Sequence, residues 1–180
     1  MEVPDLAAGD FEHLTISGQL VIAERLVAAG PAVVIGSSMG GYLAALCAAR
    51  HPDQVRKVIL LAPAFGFHEI WRKELGQEKL EAWRKNGTMP TFHYGEGREM
   101  PLAFGLMEDA ERFEPFPEIR QPGLIFHGVD DPLVPIAQSR SYAANRPNIR
   151  LLEFKSGHEL TDVLDDMWLA AREFVLGGGL

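Results

Sequence analysis

Ala32-Val33-Val34-Ile35-Gly36-Ser37-Ser38-Met39-Gly40-Gly41-Tyr42-Leu43-Ala44-Ala45-Leu46 joins a short apolar run to a helix-forming run across a Gly/Ser turn. Residues 32–35 read as a buried strand and the stretch from Tyr42 as a helix. Between them, Gly-x-Ser-x-Gly sets a hydroxyl on a strand-to-helix turn so sharp that the residues two before and two after must be small. That spacing selects Ser38, flanked by Gly36 and Gly40, over Ser37, flanked by Ile35 and Met39. Gly41 lets the start of the helix lie close to the strand. The backbone N–H of Met39 then points where an oxyanion would develop, near the positive end of the helix. A phosphate-binding loop is the rival use of such a turn. Its Gly-x-x-x-x-Gly-Lys-Ser/Thr pattern is absent, and no lysine lies nearby.

Working outward, Thr15–Ala29 reads as a helix carrying Leu20, Val21, Leu26 and Val27, stopped by Gly30-Pro31. The helix after the turn runs to His51-Pro52. Lys57–Leu61 is a continuous apolar strand, as expected of one covered on both faces. Strands follow near 123–127 and 149–154. Asp162–Leu176 closes as a helix, with Val163, Leu164, Met167, Trp168, Ala171 and Val175 at helical spacing. Strands alternating with helices predict an α/β fold, a mainly parallel sheet with helices on both faces. The stretch 65–117 breaks the alternation. Glu69–Leu75 and Gln77–Lys85 read as helices, and Thr91–Tyr94 with Arg98–Phe104 as a hairpin across Gly95-Glu96-Gly97. The expected organisation is a core of residues 1–64 and 118–180 with an insertion at 65–117.

Strand, Gly-x-Ser-x-Gly turn and helix together resemble the nucleophile elbow of the α/β-hydrolase superfamily. His127-Gly128-Val129-Asp130-Asp131-Pro132-Leu133-Val134-Pro135 resembles the His-Gly-x-x-Asp-x-x-Val-Pro segment that carries the acid in many of its members. The match falls on Asp131, which the following proline biases toward an extended loop; Asp130 is the alternative. Gly157-His158 follows the strand 149–154 and precedes the closing helix, where the superfamily puts its base. From Val3 to the C-terminal helix the chain is similar to small lid-bearing members. The nearest are YqiA/YcfP-like esterases, and the lid also resembles that of depalmitoylating or acyl-glucuronide-cleaving hydrolases.

The resemblance implies an α/β-hydrolase fold with a lid at 65–117 and serine esterase or thioesterase chemistry. Ser38 would be the nucleophile, His158 the base, Asp131 its orienting acid, and the Met39 N–H an oxyanion donor. The implied partner is a small-molecule ester or thioester, with no cofactor. Trp71, Trp83, Phe92, Tyr94, Phe104 and Phe113 give the lid aromatic surface, first for its own small core. Trp71, Phe92, Tyr94 and Phe104 are also the candidates for a mainly apolar substrate pocket. A serine peptidase shares the triad. A non-catalytic protein with an incomplete oxyanion hole is the other alternative, because the superfamily's second donor comes from an earlier His-Gly loop. The one His-Gly here is His127-Gly128. Met1–Leu6 resembles the end of the strand before this fold's first long connection, so a βα piece of about 30 or more residues is expected to be missing ahead of it. Strand 32–35 would then keep an unpaired apolar edge, a hazard for aggregation or homodimer formation.

Five other histidines compete for the role of base. His13 precedes Ser38, out of order; His51 ends the elbow helix; His68 and His93 lie in the insertion; His127 supports the acid loop. Net charge is −8, which disfavours nucleic acid. Cys47 is the sole cysteine and excludes an intrachain disulfide; on the elbow helix it reads as a small buried residue. The sequence has no His-Glu-x-x-His, Cys pair or clustered carboxylates, so no metal is expected. No signal peptide or membrane-length apolar run is found, and the cytoplasm is the default.

Overall fold

A computed structural model describes residues 1–93 and 95–177 of the 180. Of the tail 177–180, which reads from the sequence as a frayed end, residues 178–180 lie outside the described residues, as does Tyr94. In chain order the elements are α1 Ile16–Val27, β1 Ala32–Ser37, α2 Met39–Arg50, β2 Val55–Leu61, α3 Phe67–Asn86 and β3 Thr88–His93. They continue with β4 Arg98–Ala103, α4 Gly105–Ala110, β5 Gly123–Gly128, α5 Ile136–Ala144, β6 Ile149–Phe154 and α6 Leu164–Leu176. The chain forms two compact units, residues 24–65 with 116–180 and residues 1–23 with 66–115.

The first unit holds a four-stranded parallel sheet in the order β1-β2-β5-β6. β5 is buried at every position, the signature of a strand covered on both faces. Its alternate residues identify the two layers. Leu124 and Phe126 pack with Ile59, Met167 and Phe174 beneath α6. His127 faces the other way and meets Ser139 of α5. α2 is buried without a break from Gly41 to Ala48, so it is apolar all round and sits in the core beside β1 and β2.

Among the described residues β1 pairs with β2 alone. Ile35 lies in register with Ile59, on the α6 face, yet is 57% exposed, and Val33 is 39% exposed.

Lys57 ties β2 to the end of α6. Its Nζ donates to the carbonyls of Phe174 (2.6 Å) and Gly177 (2.6 Å), with Val175 O at 3.3 Å. These carbonyls have no intrahelical partner, and a cation there also meets the negative end of the helix dipole. Lys57→Met is therefore expected to cost about 1 kcal/mol and to lower Tm by roughly 2–4 °C in a thermal melt.

In the second unit β3 and β4 pair antiparallel as a hairpin. α3 breaks at Gly76 (φ 72°, ψ 166°), a backbone state open essentially to glycine, so the two helices read at 69–75 and 77–85 appear as two arms of one element. Trp83 is its anchor. The indole N–H donates to Leu102 O (2.8 Å), and the ring meets Trp71 (5.8 Å) and Phe104 (5.3 Å, edge-on).

Residues 1–23 group with this insertion, whereas the sequence reading assigned 1–64 to the core. The cause is a set of specific ties. Asp109 accepts both the N–H and the hydroxyl of Ser17 at 2.6 Å, Ala103 N–H donates to Glu12 O, and Phe11 stacks edge-on against His93. Met1–Leu6 is no strand end. Asp5 instead accepts the N–H groups of Ala7 (2.9 Å) and Gly9 (3.0 Å), and the chain turns there.

Candidate active site

The turn at Ser38 is held in a strained backbone, φ 53° and ψ −121°. Four backbone hydrogen bonds fix it. Its N–H donates to Leu61 O (2.8 Å), and its carbonyl accepts from Gly41 (3.0 Å), Tyr42 (3.1 Å) and Ala64 (3.0 Å). The glycines differ in what they do. A Cβ on Gly36 would lie 2.1 Å from Gly40 O, and one on Gly41 would lie 3.1 Å from Pro63 Cα. A Cβ on Gly40 would meet nothing within 4 Å. Sterics therefore demand glycine at 36 and press on 41, but not on 40 as the motif spacing suggested. Met39 opens α2, where N–H groups have no intrahelical acceptor, and its N–H is free for an oxyanion in that respect.

Asp131 lies in the loop after β5, and its side chain is fully buried. Oδ1 accepts the N–H groups of Leu133 (2.8 Å) and Val134 (2.9 Å), an Asx turn made by Asp-Pro-Leu-Val. Oδ2 lies 2.8 Å from His158 Nδ1. A buried carboxylate accepts, so the proton of neutral His158 sits on Nδ1 and Nε2 is left with its lone pair. His158 is 12% exposed, shielded but reachable. Asp130, the alternative acid, points away and pairs with Lys155 at the surface (2.7 Å). Ser38 follows β1, Asp131 follows β5 and His158 follows β6, so all three stand over the carboxyl edge of one parallel sheet. In open parallel sheets, ligands bind at that edge.

The acid and base loops touch at Gly128. A Cβ there would lie 2.3 Å from both Gly157 O and Ser156 O. Two further bonds join the loops, Asp130 N–H to Ser156 O and Val129 N–H to Phe154 O. Sequence reasoning missed this contact and the two N–H donors to Asp131. The Asp-Pro-x-Val-Pro string carried a signal for the second, since Asx turns favour that composition.

The remaining candidates lie elsewhere. His13 pairs with Asp10 (3.0 Å), which raises the His13 pKa; His51 lies 3.4 Å from Glu24; His93 accepts the Glu96 N–H. Trp71 and Phe104 belong to the aromatic cluster around Trp83, and Phe92 is half exposed. Phe104 and His68 line a cavity of about 450 Å³ with Arg72, Gln77, Leu80, Glu81, Arg84, Met107 and Glu111, a more polar wall than an acyl pocket. Burial pushes the Cys47 thiol up to about 11, leaving it unreactive. Among the described residues no group of three or more His, Cys, Asp or Glu could hold a metal ion, and no helix is long and apolar enough to cross a membrane.

Known proteins share this fold. The solved structure of Est1E from Butyrivibrio proteoclasticus with ferulic acid bound superposes with a TM-score of 0.78 at 24% identity, over 93% of this chain and 70% of that one. Mouse alpha/beta hydrolase domain-containing protein 10 gives 0.75 at 21% identity, over 93% and 71%. The fold is thus that of the α/β hydrolases. Among curated proteins, a pimeloyl-[acyl-carrier protein] methyl ester esterase of Chromobacterium violaceum is 28% identical over 69% of this chain. The chain spans 61% of that esterase's length. The model of the uncharacterised protein family UPF0227 matches residues 1–174, and the chain belongs to that family.

Proposed function

We propose that this chain is a serine hydrolase of carboxylic esters or thioesters. The observation that carries the reading is the buried Asp131–His158 pair at 2.8 Å, at the same sheet edge as a serine on a strained elbow. Ser38 Oγ attacks the acyl carbonyl while His158 Nε2 takes its proton. Asp131 stabilises the resulting imidazolium through Nδ1–H. The tetrahedral oxyanion accepts the Met39 N–H at the positive end of α2. Collapse expels the alcohol or thiol, which takes the proton from His158, and leaves an acyl-serine. A water deprotonated by His158 then releases the acid and restores Ser38. The esterase name carried by the curated relative supports ester cleavage.

Labelling with a fluorophosphonate, read by mass spectrometry, tests this. Ser38→Ala is expected to abolish the adduct and to lower turnover of p-nitrophenyl butyrate by at least 10³-fold. A folded Ser38→Ala variant that still labels would remove the assignment. A folded, unlabelled wild type with no turnover would point to the non-catalytic alternative.

A further inference from the structure

His127 is fully buried, on β5 just before the loop that carries Asp131. Its Nε2 lies 3.0 Å from Val134 O, an atom that only accepts, so Nε2 carries the proton. Nδ1 then offers its lone pair to the hydroxyl of Ser139, 2.7 Å away and also fully buried. The same Nε2–H lies 3.3 Å from Asp131 Oδ2, the oxygen that receives the His158 proton. Asp131 Oδ2 thus accepts the His158 proton and lies beside the His127 N–H, whose own hydrogen bond goes to Val134 O; that carbonyl sets the tautomer of the rear ring, and Ser139 holds the ring from its other side. Burial holds the His127 pKa below its ordinary value, so it donates as a neutral ring.

We propose that His127, with its tautomer set by Val134 O and its ring held by Ser139, is a positioning residue that tempers the pull of Asp131 on His158. This rests on the triad reading given above. A carboxylate oxygen 3.3 Å from the His127 ring nitrogen that bears the proton already has part of its charge stabilised by that N–H dipole, and so stabilises the His158 imidazolium less. Taking that donor away while Leu133 and Val134 still hold Oδ1 leaves the orientation intact and strengthens the His158 bond. The other charges around the pair are already matched. Glu153, in register with His127 on β6, is held by Arg140 of α5 (2.8 and 2.6 Å), and Asp130 by Lys155. Glu159, next to His158, is exposed.

The test is the pH profile of kcat/KM on p-nitrophenyl butyrate, with folding checked by circular dichroism. His127→Leu is expected to move the acidic limb up by about 0.5–1 pH unit. His127→Gln, which keeps an N–H near the Nε2 position, is expected to restore the wild-type limb. Ser139→Ala is expected to shift it upward by less, and it carries the test where the leucine variant fails to fold. A limb that stays in place in the folded variants, or a glutamine variant that behaves like leucine, overturns the proposal. Failure of the triad reading looks different, because turnover would then survive Ser38→Ala.

Discussion

Gly128→Ala is expected to reduce ester turnover by at least 100-fold while the sheet still forms. The added methyl would lie 2.3 Å from two backbone carbonyl oxygens, Gly157 O and Ser156 O, and 2.8 Å from Ser156 C. Backbone cannot step aside as a flexible side chain can, so the loops bearing Asp131 and His158 must part. Overpacking of this kind costs about 1–3 kcal/mol. The functional loss is larger because the 2.8 Å bond between Asp131 and His158 depends on that closeness. A misplacement of about 1 Å in a catalytic group can cost 10²-fold. Steady-state kinetics beside far-UV circular dichroism read the two effects separately. Near-wild-type kcat/KM in a folded Gly128→Ala protein would show that the loops do not need this contact.

Gly36→Ala is expected to be as damaging, and Gly40→Ala to be harmless to the fold. A Cβ at 36 would sit 2.1 Å from Gly40 O and 2.5 Å from Gly40 C, well inside contact distance, so the turn carrying Ser38 must open. The four backbone bonds around Ser38 go with it. Loss of fluorophosphonate labelling and a Tm lower by several degrees are the expected readings. At Gly40 the added methyl meets nothing within 4 Å, and alanine is the better helix former by about 0.5–1 kcal/mol. A Tm at or above wild type is expected there. Equal damage from both substitutions would contradict this division of labour within the motif.

The contrast marks what could be read in advance. Strand, turn and helix around Ser38 were legible because each is a local pattern, and so was the break at Gly76, between two helical runs. The parallel sheet followed from alternation and continuous apolar strands, while its strand order did not. α5 left a fainter trace. Residues Gln138, Ser139, Arg140 and Ser141 interrupt any apolar stripe, and Ser139 and Tyr142 are its buried residues. Its purchase on the core is polar and distant in sequence, through Ser139 to His127 and the Tyr142 hydroxyl to Pro117 O. The membership of residues 1–23 was hidden for the same reason, since Ser17 and Asp109 lie 92 positions apart. At the site, residue types and order were visible, but which glycine is crowded depends on backbone atoms from other segments.

Sixty-five positions separate Leu61 from its partner Phe126, yet these two strands lie side by side at the heart of the sheet. The chain entropy lost in closing such a loop grows only logarithmically, so doubling or halving the intervening length changes it by about 0.6 kcal/mol. The strands that lead into Ser38, Asp131 and His158 are thus almost indifferent, in this respect, to how much polypeptide is threaded between β2 and β5. Residues 66–115 can be lengthened, trimmed or exchanged over evolutionary time at little expense in loop-closure entropy to the sheet edge, which leaves one scaffold open to many different insertions.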